Sequence, residues 1–206
     1  AAVVGGDAGR ALALGTWAGL TKRLVLLGGG HAHLHVLARL ARHRPPGWDV
    51  LLVTPQPRQV YSGMLPGWVA GHYTLEQISI DLQPLARSAG ATLALDAAIG
   101  LEADAGVVCT RDGGRIGFDA LSIDVGSAPP ASIPGAAEHA TSVRPIDGFV
   151  TAWERLARRL HEARRPFHAV VLGAGPGGVE LAFALRQRAM TQGWSHLHVH
   201  LVGSEP

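Results

Sequence analysis

Apolar residues along this chain fall into two kinds of run. Short continuous runs come first. Leu24-Val25-Leu26-Leu27 leads into Gly28-Gly29-Gly30, Val50-Leu51-Leu52-Val53 into Thr54-Pro55, and Ala169-Val170-Val171-Leu172 into Gly173. Four apolar residues in a row, closed by turn formers, predict strands buried on both faces of a parallel sheet. Elsewhere the period changes to that of a helix. Leu34, Leu37, Leu40 and Ala41 share one side against Arg39, Arg42 and His43, and Pro45-Pro46-Gly47 stops the pattern. Residues 146–164 form the clearest amphipathic helix, with Ile146, Phe149, Val150, Trp153, Leu156 and Leu160 on one face and a solvated, Arg-rich face opposite. Val179 to Met190 predicts another helix, and Leu197 to Val202 the next strand. Strand, glycine turn, helix, strand therefore occurs twice, about 145 residues apart, which is a duplicated βαβ unit and not a short solenoid repeat.

Between the two units the pattern is different. Val107–Thr110 and Arg115–Phe118 flank Asp112-Gly113-Gly114, a hairpin signal, and Leu121 to Val125 reads as a further strand closed by Gly126-Ser127. Thr74 with Gln77 forms a capping box that predicts a short helix, and Pro84 to Ser88 a second one stopped at Gly90. From Pro55 to Tyr73 no period is visible, so the segment is expected to be an irregular, functional loop. Pro129 to Pro134 reads as a linker and residues 1–22 as a tail.

Composition narrows the classes. Of 206 residues 27 are Gly, about 13% against a usual ~7%, without the three-residue period of collagen. Cys109 is the only cysteine, which excludes a disulfide scaffold and any internal redox pair, and fits a reducing compartment. The net charge of +2 arises from 18 basic and 16 acidic residues, too small a surplus to call for nucleic acid. No apolar run reaches the 18 or so residues of a membrane span, and Asp7 and Arg10 interrupt the Ala- and Leu-rich start, so no signal peptide is expected.

The chemistry is concentrated at the glycines. Gly173-x-Gly175-x-x-Gly178 follows a strand and opens a helix, the full context of a dinucleotide fingerprint. The first Gly makes the turn, the second lets backbone approach a pyrophosphate, and the third brings the helix close to the strand. The phosphates then meet the free N–H groups and positive dipole end of the helix. Gly28-x-Gly30-x-x-His33 keeps only two of the three glycines, so helix and strand are expected to stand further apart there. Thr54 and Gly203 occupy the strand ends where an acidic residue would take a ribose, with Glu205 close but late, so the residues leave NAD and NADP open. Two histidine sets alternate, His31/His33/His35 and His196/His198/His200. An HxH strand can hold a metal, which makes a metal-dependent hydrolase one alternative; packing or surface histidines are the simpler reading. Ser62 lacks the GxSxG setting of a nucleophile. A non-catalytic nucleotide-binding fragment is the other alternative.

Two glycine turns around a β-hairpin insert resemble the flavoproteins with two dinucleotide-binding domains, the pyridine nucleotide–disulfide oxidoreductases and type II NADH dehydrogenases. FDALSIDVGS at 118–127 resembles the strand-then-Gly motif that closes over FAD, and GAGPGGVE at 173–180 the NAD(P)H fingerprint. GGGHAH at 28–33, YSGMLPGWVAGHY at 61–73 and RPID at 144–147 resemble one branch, NADH dehydrogenase-like flavoproteins of which some are fused to a selenide, water dikinase domain. The resemblance covers roughly residues 23–205. It implies an α/β enzyme with a Rossmann-like FAD-binding domain over 23–134 and the start of a second, NAD(P)-binding unit over 135–206. FAD and NAD(P)H are the implied cofactors, with hydride passing to the flavin and electrons to an acceptor such as a quinone. By position, Gly28, Gly30 and His31 would line the FAD pyrophosphate, Thr54 or Gln56 the adenosine ribose and Ala98 the adenine. Gly126 and Ser127 would close over the cofactor, while Ser62, Gly63, Met64, Leu65 and Pro66 would lie against the flavin ring. Gly173, Gly175 and Gly178 would hold NAD(P)H, and Glu180 is the candidate catalytic polar contact near the nicotinamide. The resemblance further implies a cytoplasmic protein, peripheral to the inner membrane at full length, and a homodimer. Without a cysteine pair, disulfide-reductase and sulfide–quinone chemistry find no support in these residues.

Overall fold

The computed structural model describes residues 21–127 and 133–203. Most of the tail and of the 129–134 linker lie outside the described residues. In chain order the elements are β1 (Lys22–Leu27), α1 (His31–Leu40), β2 (Trp48–Thr54), β3 (Arg58–Val60), a 3-10 turn (Ser62–Met64), α2 (Leu65–Ala70), β4 (Ser79–Asp81), α3 (Leu82–Ser88) and β5 (Thr92–Leu95). Then follow β6 (Ala98–Glu102), β7 (Val107–Thr110), β8 (Arg115–Gly117), β9 (Ala120–Ile123), α4 (Ala136–His139), α5 (Ile146–Glu162), β10 (Phe167–Leu172), α6 (Pro176–Gln192) and β11 (Leu197–Val202). Among the described residues they form two compact units, 21–59 with 81–126 and 60–80 with 127 and 133–203.

The first unit is a three-layer sandwich. Its sheet has the order β5-β2-β1-β9 with every pair parallel. Because side chains alternate across a strand, the continuous apolar runs feed two cores. Val25, Leu27, Leu51 and Val53 pack with Val108 and Leu121 beneath the antiparallel β6-β7-β8 meander. Leu26, Val50 and Leu52 pack with Leu37 of α1 and Leu82 of α3 on the other face. Each such fully buried aliphatic side chain contributes about 1.5–3 kcal/mol. The expected hairpin is present as β7 and β8, and β6 adds a strand that the periodicity had not announced.

The second unit is built on a parallel pair, β10 and β11, in register from Phe167 with Leu197 to Leu172 with Val202. One face carries a core of Phe149, Trp153 and Leu160 from α5, Ala184, Leu185 and Ala189 from α6, and Trp194. Residues 60–80 belong to this core through Leu65, Trp68, Val69 and Ile78.

Two expectations need correction. The segment from Pro55 to Tyr73 is not irregular: it holds β3, the 3-10 turn and α2. Pro66 starts α2 where a missing N–H costs nothing, and Gly71, at φ +88°, ends it in the left-handed conformation that donates back to Gly67 and Trp68. Conversely, the Thr74 box forms without its helix. Thr74 N–H donates to Gln77 Oε1 (2.8 Å) and Gln77 N–H to Thr74 Oγ1 (3.2 Å). The chain then turns straight into β4, with Ser79 Oγ donating to the Leu75 carbonyl. One turn of helix offers too few bonds to outlast its nucleation cost.

Candidate functional site

Both glycine turns sit at the C-terminal ends of parallel strands, and their backbones are nearly superposable in kind. Gly28 (φ +88°) and Gly173 (φ +107°) make the bend, in a region where a Cβ would be strained. Gly28 N–H donates to the Val53 carbonyl and Gly173 N–H to that of Val202, each at 2.8 Å. Gly30 caps α1 at φ −66°, ψ 176°, and Gly175 caps α6 at φ −70°, ψ 174°, neither through a side chain of its own. The duplication read from the sequence is thus a duplication of backbone geometry.

The two turns differ in what fills them. In the second, a Cβ built on Gly173, Gly175 or Gly177 would meet nothing within 4 Å, whereas one on Gly178 would run into the Gly173 carbonyl oxygen. The N–H groups of Gly175 and Gly177 meet no acceptor among the described residues. This is an open donor cradle at a helix N-terminus, the chemistry a pyrophosphate needs. Glu180 is exposed one turn into α6.

The first turn is packed. Gly28 and Gly29 are buried. A Cβ on Gly28 would strike the backbone carbonyl of Asp124, one on Gly29 would lie 2.5 Å from Leu82 Cδ1, and one on Gly30 would strike the Asp124 carboxylate. That carboxylate accepts from Ala32 N–H (2.8 Å) and more loosely from His33 N–H (3.3 Å), so it serves as the cap that Gly30 cannot supply. The N–H groups of Gly29 and Gly30 meet no acceptor among the described residues. Asp124 follows β9, whose neighbour is β1, so it stands at the crevice where strand order reverses, the place where open α/β sheets bind ligands.

His33 replaces the third glycine without leaving a gap. Its ring is fully buried. Nδ1 lies 2.6 Å from the Gly28 carbonyl oxygen and Nε2 2.9 Å from Ser122 Oγ. A carbonyl can only accept, so Nδ1 carries a proton and donates; in the neutral ring Nε2 accepts from the Ser122 hydroxyl. The Gly28 carbonyl is the counterpart of the Gly173 carbonyl that a Cβ on Gly178 would hit. Where the second unit clears that oxygen with a glycine, the first bonds it with an imidazole and ties helix, turn and β9 together.

The remaining candidates are placed as follows. Thr54 is buried at the end of β2, its hydroxyl 3.4 Å from both the N and the O of the exposed Gln56. Ala98 opens β6 opposite Thr110, and Gly126 (φ +74°) is exposed at the end of the first unit. Ser127 is exposed and falls in the second unit. Ser62, Gly63 and Met64 form the 3-10 turn of the second unit, with a Cβ on Gly63 only 3.0 Å from the Tyr61 ring, and Leu65 is buried. Asp124 and Ser122 were missed as contributors. Their only signal is their place just before Gly126, and their partners lie about 90 residues away in sequence.

The histidine sets separate. His33 points inward while His31 and His35 are exposed on α1. His196 turns to the core and bonds the Leu160 carbonyl (2.9 Å), whereas His198 and His200 share the open face of β11 with His168, whose Nδ1 lies 2.9 Å from His200 Nε2. Among the described residues no group of three or more His, Cys, Asp or Glu could hold a metal ion, and no helix is long and apolar enough to cross a membrane.

A family model described as pyridine nucleotide-disulphide oxidoreductase matches residues 22–206. Over 158 residues the chain is 27% identical to the sulfide-quinone reductase of Aquifex aeolicus (strain VF5), a stretch covering 77% of this chain and 36% of that protein. Similar solved structures include the sulfide:quinone oxidoreductase from Aquifex aeolicus, with a TM-score of 0.70 and 23% identity over 90% of this chain and 44% of that one. NDH2 from Plasmodium falciparum in complex with NADH gives 0.71 and 16% over 88% and 41%. At these identities the solved structures establish the fold, an α/β architecture of Rossmann-like type. The chain spans about a third of the length of the curated relative it matches.

Proposed function

This chain belongs to the pyridine nucleotide-disulphide oxidoreductase family, and from that premise we propose that it is the nucleotide-binding part of a flavin-dependent NAD(P)H oxidoreductase. The observation that carries the reading is the duplicated strand–glycine turn–helix unit, with both turns at the C-terminal edge of parallel strands. FAD belongs to the first unit and NAD(P)H to the second. FAD supplies hydride acceptance and onward electron delivery, which no side chain here provides. The protein's part is to bind and orient. Gly29 and Gly30 offer N–H donors to the FAD diphosphate beside His31, with Thr54 or Gln56 toward the ribose and Ala98 toward the adenine. Gly126 closes over the cofactor at the end of the first unit. Gly173, Gly175 and Gly178 seat the second diphosphate, and Glu180 gives a polar contact near the nicotinamide. The name of the Aquifex relative supports a quinone as acceptor.

The experiment is a spectrum of the purified chain after FAD is added and excess removed. Flavin bands that persist, and bleach with NADH, are the expected result. A protein that stays colourless overturns the reading, and retained but NADH-insensitive flavin reduces it to passive binding.

A further inference from the structure

The first turn already holds an anion. We propose that Asp124 is an internal competitor for the dinucleotide's diphosphate at the N-terminus of α1, and that it sets the affinity of this turn for its cofactor. The inference rests on the reading of the first turn as the FAD site. Its own support is the packing: Gly28 yields to the Asp124 carbonyl, Gly30 to the Asp124 carboxylate, and the carboxylate takes the N–H groups of Ala32 and His33. The second glycine of the fingerprint, expected to clear room for a pyrophosphate, here clears room for a carboxylate. A helix N-terminus carries about half a positive charge, and one carboxylate neutralises much of it. A diphosphate arriving at Gly29 and Gly30 meets a reduced attraction and a like charge beside it. Coulomb repulsion at such range in a half-buried setting is worth a several-fold change in binding. Nothing comparable faces the second turn: among the described residues its donors are open.

The test compares the whole chain with Asp124→Asn, and with Asp124→Ser as a second variant, by calorimetric titration of FAD and of riboflavin. Asn is isosteric with Asp and keeps an oxygen at the same reach of the Ala32 and His33 N–H groups, so a purely structural capping role predicts no change in FAD affinity for Asp124→Asn. Competition predicts that both variants bind FAD about fivefold more tightly at about 50 mM salt, that the gap shrinks in about 1 M salt, and that riboflavin, which has no phosphate, is bound alike by all three. FAD held more tightly by both variants than by the parent chain supports the proposal. Unchanged or weakened FAD binding in the variants overturns it while leaving the flavin reading intact. Absence of FAD binding in all three proteins overturns both.

Discussion

His33 shows how one residue can depart from a motif and still strengthen the fold. Read alone, its place in the fingerprint implies a helix set back from the strand. The structure adds what fills the space, an imidazole bonded to Gly28 and Ser122. Restoring the motif with His33→Gly is therefore expected to weaken the protein. It strands the buried Gly28 carbonyl and the Ser122 hydroxyl, opens a cavity and loosens the helix start, at a cost of about 2–4 kcal/mol in urea unfolding. Ser122→Ala removes one hydrogen bond and should cost about 1 kcal/mol. A gain of stability in His33→Gly would show that the imidazole is tolerated and not structural. The fingerprint was legible because its spacing is local. Asp124 was not, because its role exists only when β9 lies beside β1.

At the scale of elements, legibility followed burial on both faces and length. The four-residue apolar runs and the helix over 146–164 were readable from period alone and emerged as β1, β2, β10 and α5. Short elements were not. α2 has six residues, and its start and stop are set by Pro66 and Gly71 while its stability comes from contacts with α6 and the core around it. The capping box at Thr74 made the opposite error easy, since its two hydrogen bonds form on a turn that never becomes a helix. Gly71→Ala tests this account. The added Cβ is disfavoured at φ +88° and would run into the Arg188 guanidinium of α6, so a loss of about 1–2 kcal/mol is expected in urea unfolding. Indifference to the change would mean that α2 ends by some other means.

Over the whole molecule, the sequence made the duplication visible and the chain's path between the two units invisible. Nothing in the run from Pro55 to Tyr73 announces that residues 60–80 leave the first unit and join the second. The apolar side chains of that excursion have their partners at 149–197. A fragment of residues 21–127 is thus expected to expose Leu65, Trp68 and Ile78, bind a hydrophobic dye and aggregate. The same fragment with residues 61–78 replaced by a short Gly/Ser linker should stay monodisperse and fold, since both cores of the first unit lie outside the excised segment. Equal behaviour of the two fragments in dye binding and light scattering would contradict the assignment of 60–80.

That excursion also orders events at the ribosome. The first unit can close once β9 has left the exit tunnel. The Trp68 segment, made earlier, must then wait until Leu197 has been translated, more than a hundred residues after it. At about 5–20 residues per second the wait is on the order of ten seconds. For that interval a tryptophan-bearing apolar loop hangs from an otherwise finished domain, a natural foothold for a chaperone during synthesis.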